Sequence, residues 1–178
     1  MKNIGRFLFI AAIALSLTTA VARAKAADDA KSFYSSAEEK FSNGDYEGSI
    51  IDGNKAIELD PLFADAYSSR AAAKFRMGDK TGAIGDYTRA IELDPKSAEA
   101  LNNRGTAKSD IGDKQGAIAD FTRVIELDPS FVPAYINRAS EKLDMGDKPG
   151  VIADLLVAAR LGDMGAQQWL SNNGVSGW

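Results

Sequence analysis

The triplet Leu-Asp-Pro occurs at Leu59-Asp60-Pro61, Leu93-Asp94-Pro95 and Leu127-Asp128-Pro129, each copy 34 residues after the last. Around it, residues 78–95 (GDKTGAIGDYTRAIELDP) return at 112–129 as GDKQGAIADFTRVIELDP, and a weaker copy precedes both. A chain with this period is confined to stacked units. Each unit is too small to bury its apolar face alone and covers it with its neighbours.

Blocks of 34 place repeats at 30–63, 64–97, 98–131 and 132–165. Each opens with an apolar pattern of helical period, predicting a first helix A: Phe33, Ala37 and Phe41, then Tyr67, Ala71 and Phe75, then Leu101, Gly105 and Ile111, then Tyr135, Ala139 and Leu143. A Gly-Asp pair follows in each block, at 44–45, 78–79, 112–113 and 146–147. The glycine can end helix A in a left-handed conformation and the aspartate can cap the start of helix B. Helix B carries small residues at Ser49, Ala83, Ala117 and Val151, larger ones at Tyr87, Phe121 and Leu155, and then Ala56, Ala90, Val124 and Ala158. Pro61, Pro95 and Pro129 stop it. The fourth block has Leu161-Gly162-Asp163 instead, where glycine can end the helix. Residues 166–173 predict a capping helix that turns Gln167, Gln168, Ser171, Asn172 and Asn173 outward. Residues 174–178 predict a loose tail whose Trp178 could dock on another surface.

Residues 1–26 read as a secretory signal peptide: Lys2 and Arg6 precede an apolar run from Phe7 to Leu17, and small residues follow. Cleavage is open among Ala22, Ala24 and Ala26. Ala26 is favoured, because it leaves Asp28 and Asp29 rather than a basic residue near the new terminus. The apolar run is short of the ~20 residues that span a bilayer, so no membrane span is expected after cleavage. Loss of Lys2, Arg6, Arg23 and Lys25 with the leader takes the net charge from −4 to −8. An acidic domain disfavours nucleic acid and anionic lipid as partners. The export signal fits a bacterial periplasm.

Arg70, Arg104 and Arg138 recur at the same period, as do Asp52, Asp86, Asp120 and Asp154. We read them as structural ion pairs that join one repeat to the next, Arg70 with Asp52, Arg104 with Asp86 and Arg138 with Asp120. Lys40, Lys74, Lys108 and Lys142 read as a solvated or snorkelling row. With no His and no Cys, the commonest general base, thiolate chemistry and the Ser-His and Cys-His pairs are all excluded. No phosphate loop, dinucleotide fingerprint or calcium loop is present. No catalytic residue, metal or cofactor is expected.

Repeat two carries Tyr67, Ala71, Gly78, Ala83, Tyr87, Ala90 and Pro95 at the spacings of the tetratricopeptide repeat (TPR), and the four blocks together resemble that family. The resemblance implies an all-α, right-handed superhelical solenoid, with the capping helix closing a domain at 27–173. It also implies that the A helices line a concave groove. Repeat one would contribute Lys31, Tyr34, Glu38 and Phe41, and repeat two Asp65, Ser68, Ala72, Phe75 and Arg76. Repeat three would add Glu99, Asn102, Thr106 and Asp110, and repeat four Ile136, Ser140, Leu143 and Asp144. Chaperone-binding members clamp a carboxylate with lysine and asparagine on successive A helices. Here those positions hold Tyr34 and Glu38, or Ser68 and Ala72, so the clamp is absent.

The expected function is a non-enzymatic adaptor that holds a partner peptide or helix, one with apolar and basic residues, in the groove within the cell envelope. Whether a peptide, a glycan or a lipid sits there is open. Self-association through repeat one and the tail is the alternative, and a carboxylate-based enzyme ranks third. Gly53, where Tyr87 and Phe121 stand in later repeats, predicts that helix B of repeat one opens first.

Overall fold

A computed structural model describes the backbone of residues 2–177 and the side chains of residues 19–177. The described residues form nine α-helices and no strand: α1 Lys2–Ser42, α2 Tyr46–Leu59, α3 Ala64–Arg76, α4 Lys80–Leu93, α5 Ala98–Asp110, α6 Lys114–Leu127, α7 Val132–Asp144, α8 Lys148–Arg160 and α9 Met164–Asn172. Odd-numbered helices through α7 are the A helices. Each packs against the B helix after it, and α1, α3 and α5 also pack against the next A helix, which makes the layered superhelix that the period demands.

The hairpin turn is the same in all four repeats. Gly44, Gly78, Gly112 and Gly146 take φ between +78° and +88°. The next N–H reaches back to a carbonyl in the last turn of helix A, as from Asp79 to Lys74 at 2.9 Å. This six-to-one bond closes the helix end. The same aspartate then accepts from the third amide of helix B, as Asp79 Oδ1 does from Gly82 N–H at 2.9 Å. The turn between repeats depends on aspartate as well as proline. Asp60, Asp94 and Asp128 are extended and accept from the amides of Leu62, Lys96 and Ser130 at 3.0, 3.1 and 2.9 Å.

Three differences from the sequence reading have local causes. α1 does not begin near Ala30 but runs unbroken from Lys2, since no proline or glycine interrupts the alanine-rich stretch from Ala20 to Ala30. The capping helix starts at Met164 rather than Ala166, because Gly162 (φ +97°) and Asp163 repeat the hairpin device, with Asp163 Oδ1 accepting from Ala166 N–H at 2.7 Å. Ile111 is not part of the apolar face of helix A. It follows the last residue of α5 and is half exposed, and Ser109 holds the position of Phe41, Phe75 and Leu143.

The core is built of close-packed alanine: Ala66, Ala71, Ala73, Ala83, Ala100, Ala107, Ala117 and Ala134 are wholly buried. Between these layers sit Tyr87, Phe121 and Leu155. Leu170 of α9 is wholly buried and Val175 packs behind it, so the cap closes the last repeat and the chain after Gly174 stays attached. Trp178 lies outside the described residues. At the other end, repeat one shows Ser32 and Glu39 to solvent where later repeats bury Ala66, Ala100 and Ala134, or Ala73 and Ala107.

Candidate binding groove

The ion pairs join the two helices of one repeat, not successive repeats. Arg70 holds Asp86 with Nε at 2.7 Å and Nη2 at 2.6 Å; Arg104 holds Asp120 at 2.9 and 2.6 Å; Arg138 holds Asp154 at 3.0 and 2.6 Å. The cause is hairpin geometry. Arg70 stands eight residues before Gly78 and Asp86 eight after it, so antiparallel helices bring the two opposite each other. The expected pairing of Arg70 with Asp52, Arg104 with Asp86 and Arg138 with Asp120 is therefore wrong. The lysines are not a free row either. One turn beyond each arginine, Lys74, Lys108 and Lys142 hold the same carboxylates at 2.8, 2.9 and 2.8 Å. In repeat one serine stands at the arginine position, and Asp52 receives Ser36 Oγ at 2.7 Å and Lys40 Nζ at 2.6 Å. Burial pushes the Asp52 carboxyl up, but the bonds from Lys40 and Ser36 and the nearby lysine charges outweigh it and hold the group below the ordinary carboxylate range. What this network gives to the link between repeats is the third arginine nitrogen, Nη1, which donates to Asn54, Thr88 or Thr122 of the preceding B helix at 2.7, 3.2 and 3.0 Å.

These networks fix the A helices side by side, and their concave face carries recesses. The first, about 200 Å3, is walled by Tyr34, Glu38 and Phe41 of α1, by Asp65, Ser68, Ser69 and Ala72 of α3, and by Glu99 and Asn103 of α5, with Ser97 at its edge. The second, about 190 Å3, continues from it past Phe41, Ala72 and Asn103 to Phe75, Arg76, Tyr87 and Thr106. A third, about 130 Å3, lies between α5 and α7.

The first recess is acidic. Glu38, Asp65 and Glu99 are exposed, and among the described residues no lysine or arginine pairs with them. Burial raises the Tyr34 phenol above its ordinary value, and the charges of Glu38, Asp65 and Glu99 raise it further. Tyr87 is pushed up by burial and then by Glu99, against a hydrogen bond with Asn103. Ser69 ties Glu38 to α3 by a short hydrogen bond. The second recess is more apolar, and its one cation, Arg76, lies 5.0 Å over the ring of Tyr46.

Of the groove positions read from sequence, Tyr34, Glu38, Phe41, Asp65, Ser68, Ala72, Phe75, Arg76, Glu99 and Thr106 border the two joined recesses, and Ser140 borders the third. Lys31 and Leu143 are exposed away from them. Asp110 and Asp144 are held by Lys80 and Lys114 of the preceding B helices at 2.9 and 2.6 Å. Asn102 accepts from Asn137 Nδ2 at 3.2 Å, and Ile136 packs into the core. The reading missed Ser69, Asn103 and Asn137, which follow the chosen positions by one residue. Their shared period of 34 was the available signal.

Comparison with known proteins agrees with this geometry. Residues 98–131 match the tetratricopeptide repeat, and residues 73–112 match a second TPR repeat model. No curated protein matches significantly. Among solved structures the chain is similar to MamA (TM-score 0.73, 23% identity, covering 80% of this chain and 84% of that one). It is also similar to the first TPR of Spaghetti (RPAP3) bound to the HSP90 peptide SRMEEVD (TM-score 0.66, 24% identity, 67% and 95%). The TPR domain of Arabidopsis OM64 resembles it as well (TM-score 0.66, 23% identity, 67% and 98%). The fold is the all-α superhelical TPR fold, and within it residues 73–131 match TPR repeat models.

Proposed function

We propose that the protein is a non-enzymatic adaptor, exported to a bacterial cell envelope, that holds an extended or helical segment of a partner protein in its concave groove. The observation that carries this reading is the continuity of the two larger recesses. Phe41, Ala72 and Asn103 border both, so three successive A helices make one trough with acidic groups at one end and aromatic and aliphatic groups at the other. Such a trough suits a segment that presents a basic residue followed by an apolar one. The likeness in fold to a TPR domain holding an HSP90 peptide supports segment binding. A peptide of the SRMEEVD kind would bring acids to an acidic wall that lacks the lysine-asparagine clamp, so a different class of segment is favoured.

Export rests on residues 1–26. Thr19 to Lys25 are exposed on α1, and Ala30 is the first wholly buried residue of those described, so removal up to Ala26 would cost the solenoid little packing. Among the described residues no helix is long and apolar enough to cross a membrane.

The test is photo-crosslinking in living cells from probes at Ala72 and Thr106, with Glu92 on α4 as a site outside the trough. A discrete heterologous product from the first two alone is expected. Products only at twice the monomer mass would replace the adaptor with a self-associating unit, and equal labelling from all three sites would remove the groove from the account.

A further inference from the structure

Glu141 on α7 differs from every other buried carboxylate among the described residues. Asp52, Asp86, Asp120 and Asp154 each receive a lysine within 2.9 Å, and three of them also receive a bidentate arginine. Glu141 is 7% exposed, yet its one side-chain partner is the Ser109 hydroxyl, which donates to Oε1 at 2.5 Å. The adjacent Lys142 is committed to Asp154. In repeats two and three the same position is alanine, Ala73 and Ala107, and in repeat one it is Glu39, which is exposed, so the fold needs no buried acid there. Ser109 departs as well, standing where Phe41, Phe75 and Leu143 stand. The two departures face each other and border the third recess, about 130 Å3, together with Thr106, Phe121, Asn137 and Ser140.

We infer that this recess is a cation subsite of the groove, taking the ammonium or guanidinium end of a lysine or arginine side chain on the bound segment. A carboxylate buried without a cation is costly, and among the described residues every other buried carboxylate has a cation while this one has none. The groups around it accept hydrogen bonds: the hydroxyls of Thr106 and Ser140 have free lone pairs, and the Asn137 amide, which donates to Asn102, leaves its carbonyl oxygen available. The Phe121 ring offers a surface for a methylene stem.

The inference rests on the groove reading, but its test needs no partner, so it can fail while crosslinking from Ala72 succeeds, or the reverse. The full-length chain is titrated with acetyl-Ala-Lys-Ala-amide and followed by the backbone NMR signals of residues 106–109 and 137–141. A saturable response there is expected, absent when the lysine is Nε-acetylated. In Glu141→Gln, which keeps an oxygen for Ser109, binding should weaken at least tenfold while Tm holds or rises. Unchanged binding in that variant, or a lower Tm that marks Glu141 as structural, would overturn the subsite. Binding of 1,5-diaminopentane as tight as that of the peptide would assign the site to free amines and overturn the peptide source.

Discussion

Gly105 and Gly85 both sit inside helices where alanine is the better helix former by about 1 kcal/mol, yet their surroundings set opposite expectations. A Cβ on Gly105 would lie 2.6 Å from the ring of Phe121, which is 1% exposed and cannot yield, whereas a Cβ on Gly85 would meet nothing within 4 Å. Gly85→Ala should therefore stabilise by about 0.5–1 kcal/mol, and Gly105→Ala should destabilise by about 1 kcal/mol net, overpacking outweighing propensity; denaturant midpoints of the two variants check both signs. The arginine networks give a second prediction at this scale. A double-mutant cycle should find coupling of about 2 kcal/mol between Arg104 and Asp120, but within about 0.5 kcal/mol of zero between Arg104 and Asp86. The correct pairing was legible, since each arginine and its aspartate lie equally far from the turn glycine. Glu141 was not, because an acid in a charged helix gives no sign of its burial until neighbouring repeats are stacked against it.

At the scale of the element, repeat one is the weak hairpin. α2 has Gly53 where later repeats place Tyr87 and Phe121, and a Cβ added there would meet the stem of Arg70, 3.2 Å from its Cβ. Ser49 stands where later repeats have Ala83, Ala117 and Val151, and its wholly buried hydroxyl has no partner among the described residues, which costs about 1–3 kcal/mol. Asp52 has a lysine but no arginine. Amides of α2 should thus exchange faster with solvent than those of α6; equal protection would contradict this. The Asp52 carboxyl, held below its ordinary range, adds stability that is full above the unfolded carboxylate pKa and is lost as pH falls through the lower folded value. The Tm gap between wild type and Asp52→Asn should accordingly be widest near neutral pH and close below about pH 4. Helix order and hairpin turns were legible because Gly-Asp and Leu-Asp-Pro recur on a strict period. The start of α9 was misjudged by two residues because the Gly162-Asp163 copy of the turn falls where the other repeats carry proline.

At the scale of the molecule, the solenoid followed from the 34-residue period, but the division of its concave face did not. Sequence assigns groove positions to all four repeats. Packing gathers them into one acidic and apolar trough over α1, α3 and α5 and leaves a smaller polar recess between α5 and α7, with Thr106 bordering both. Which side chains become free depends on ion pairs between repeats, such as Lys80 with Asp110, that the period alone does not reveal. The central claim is that this trough holds the partner, and Ala72, small and shared by both joined recesses, is the place to test it. Ala72→Trp should fill the trough while leaving the buried alanine layers intact. The account predicts that the heterologous crosslink from Thr106 disappears while the helical circular dichroism and the Tm stay near those of the parent chain. A crosslink that persists undiminished in that folded variant would contradict it.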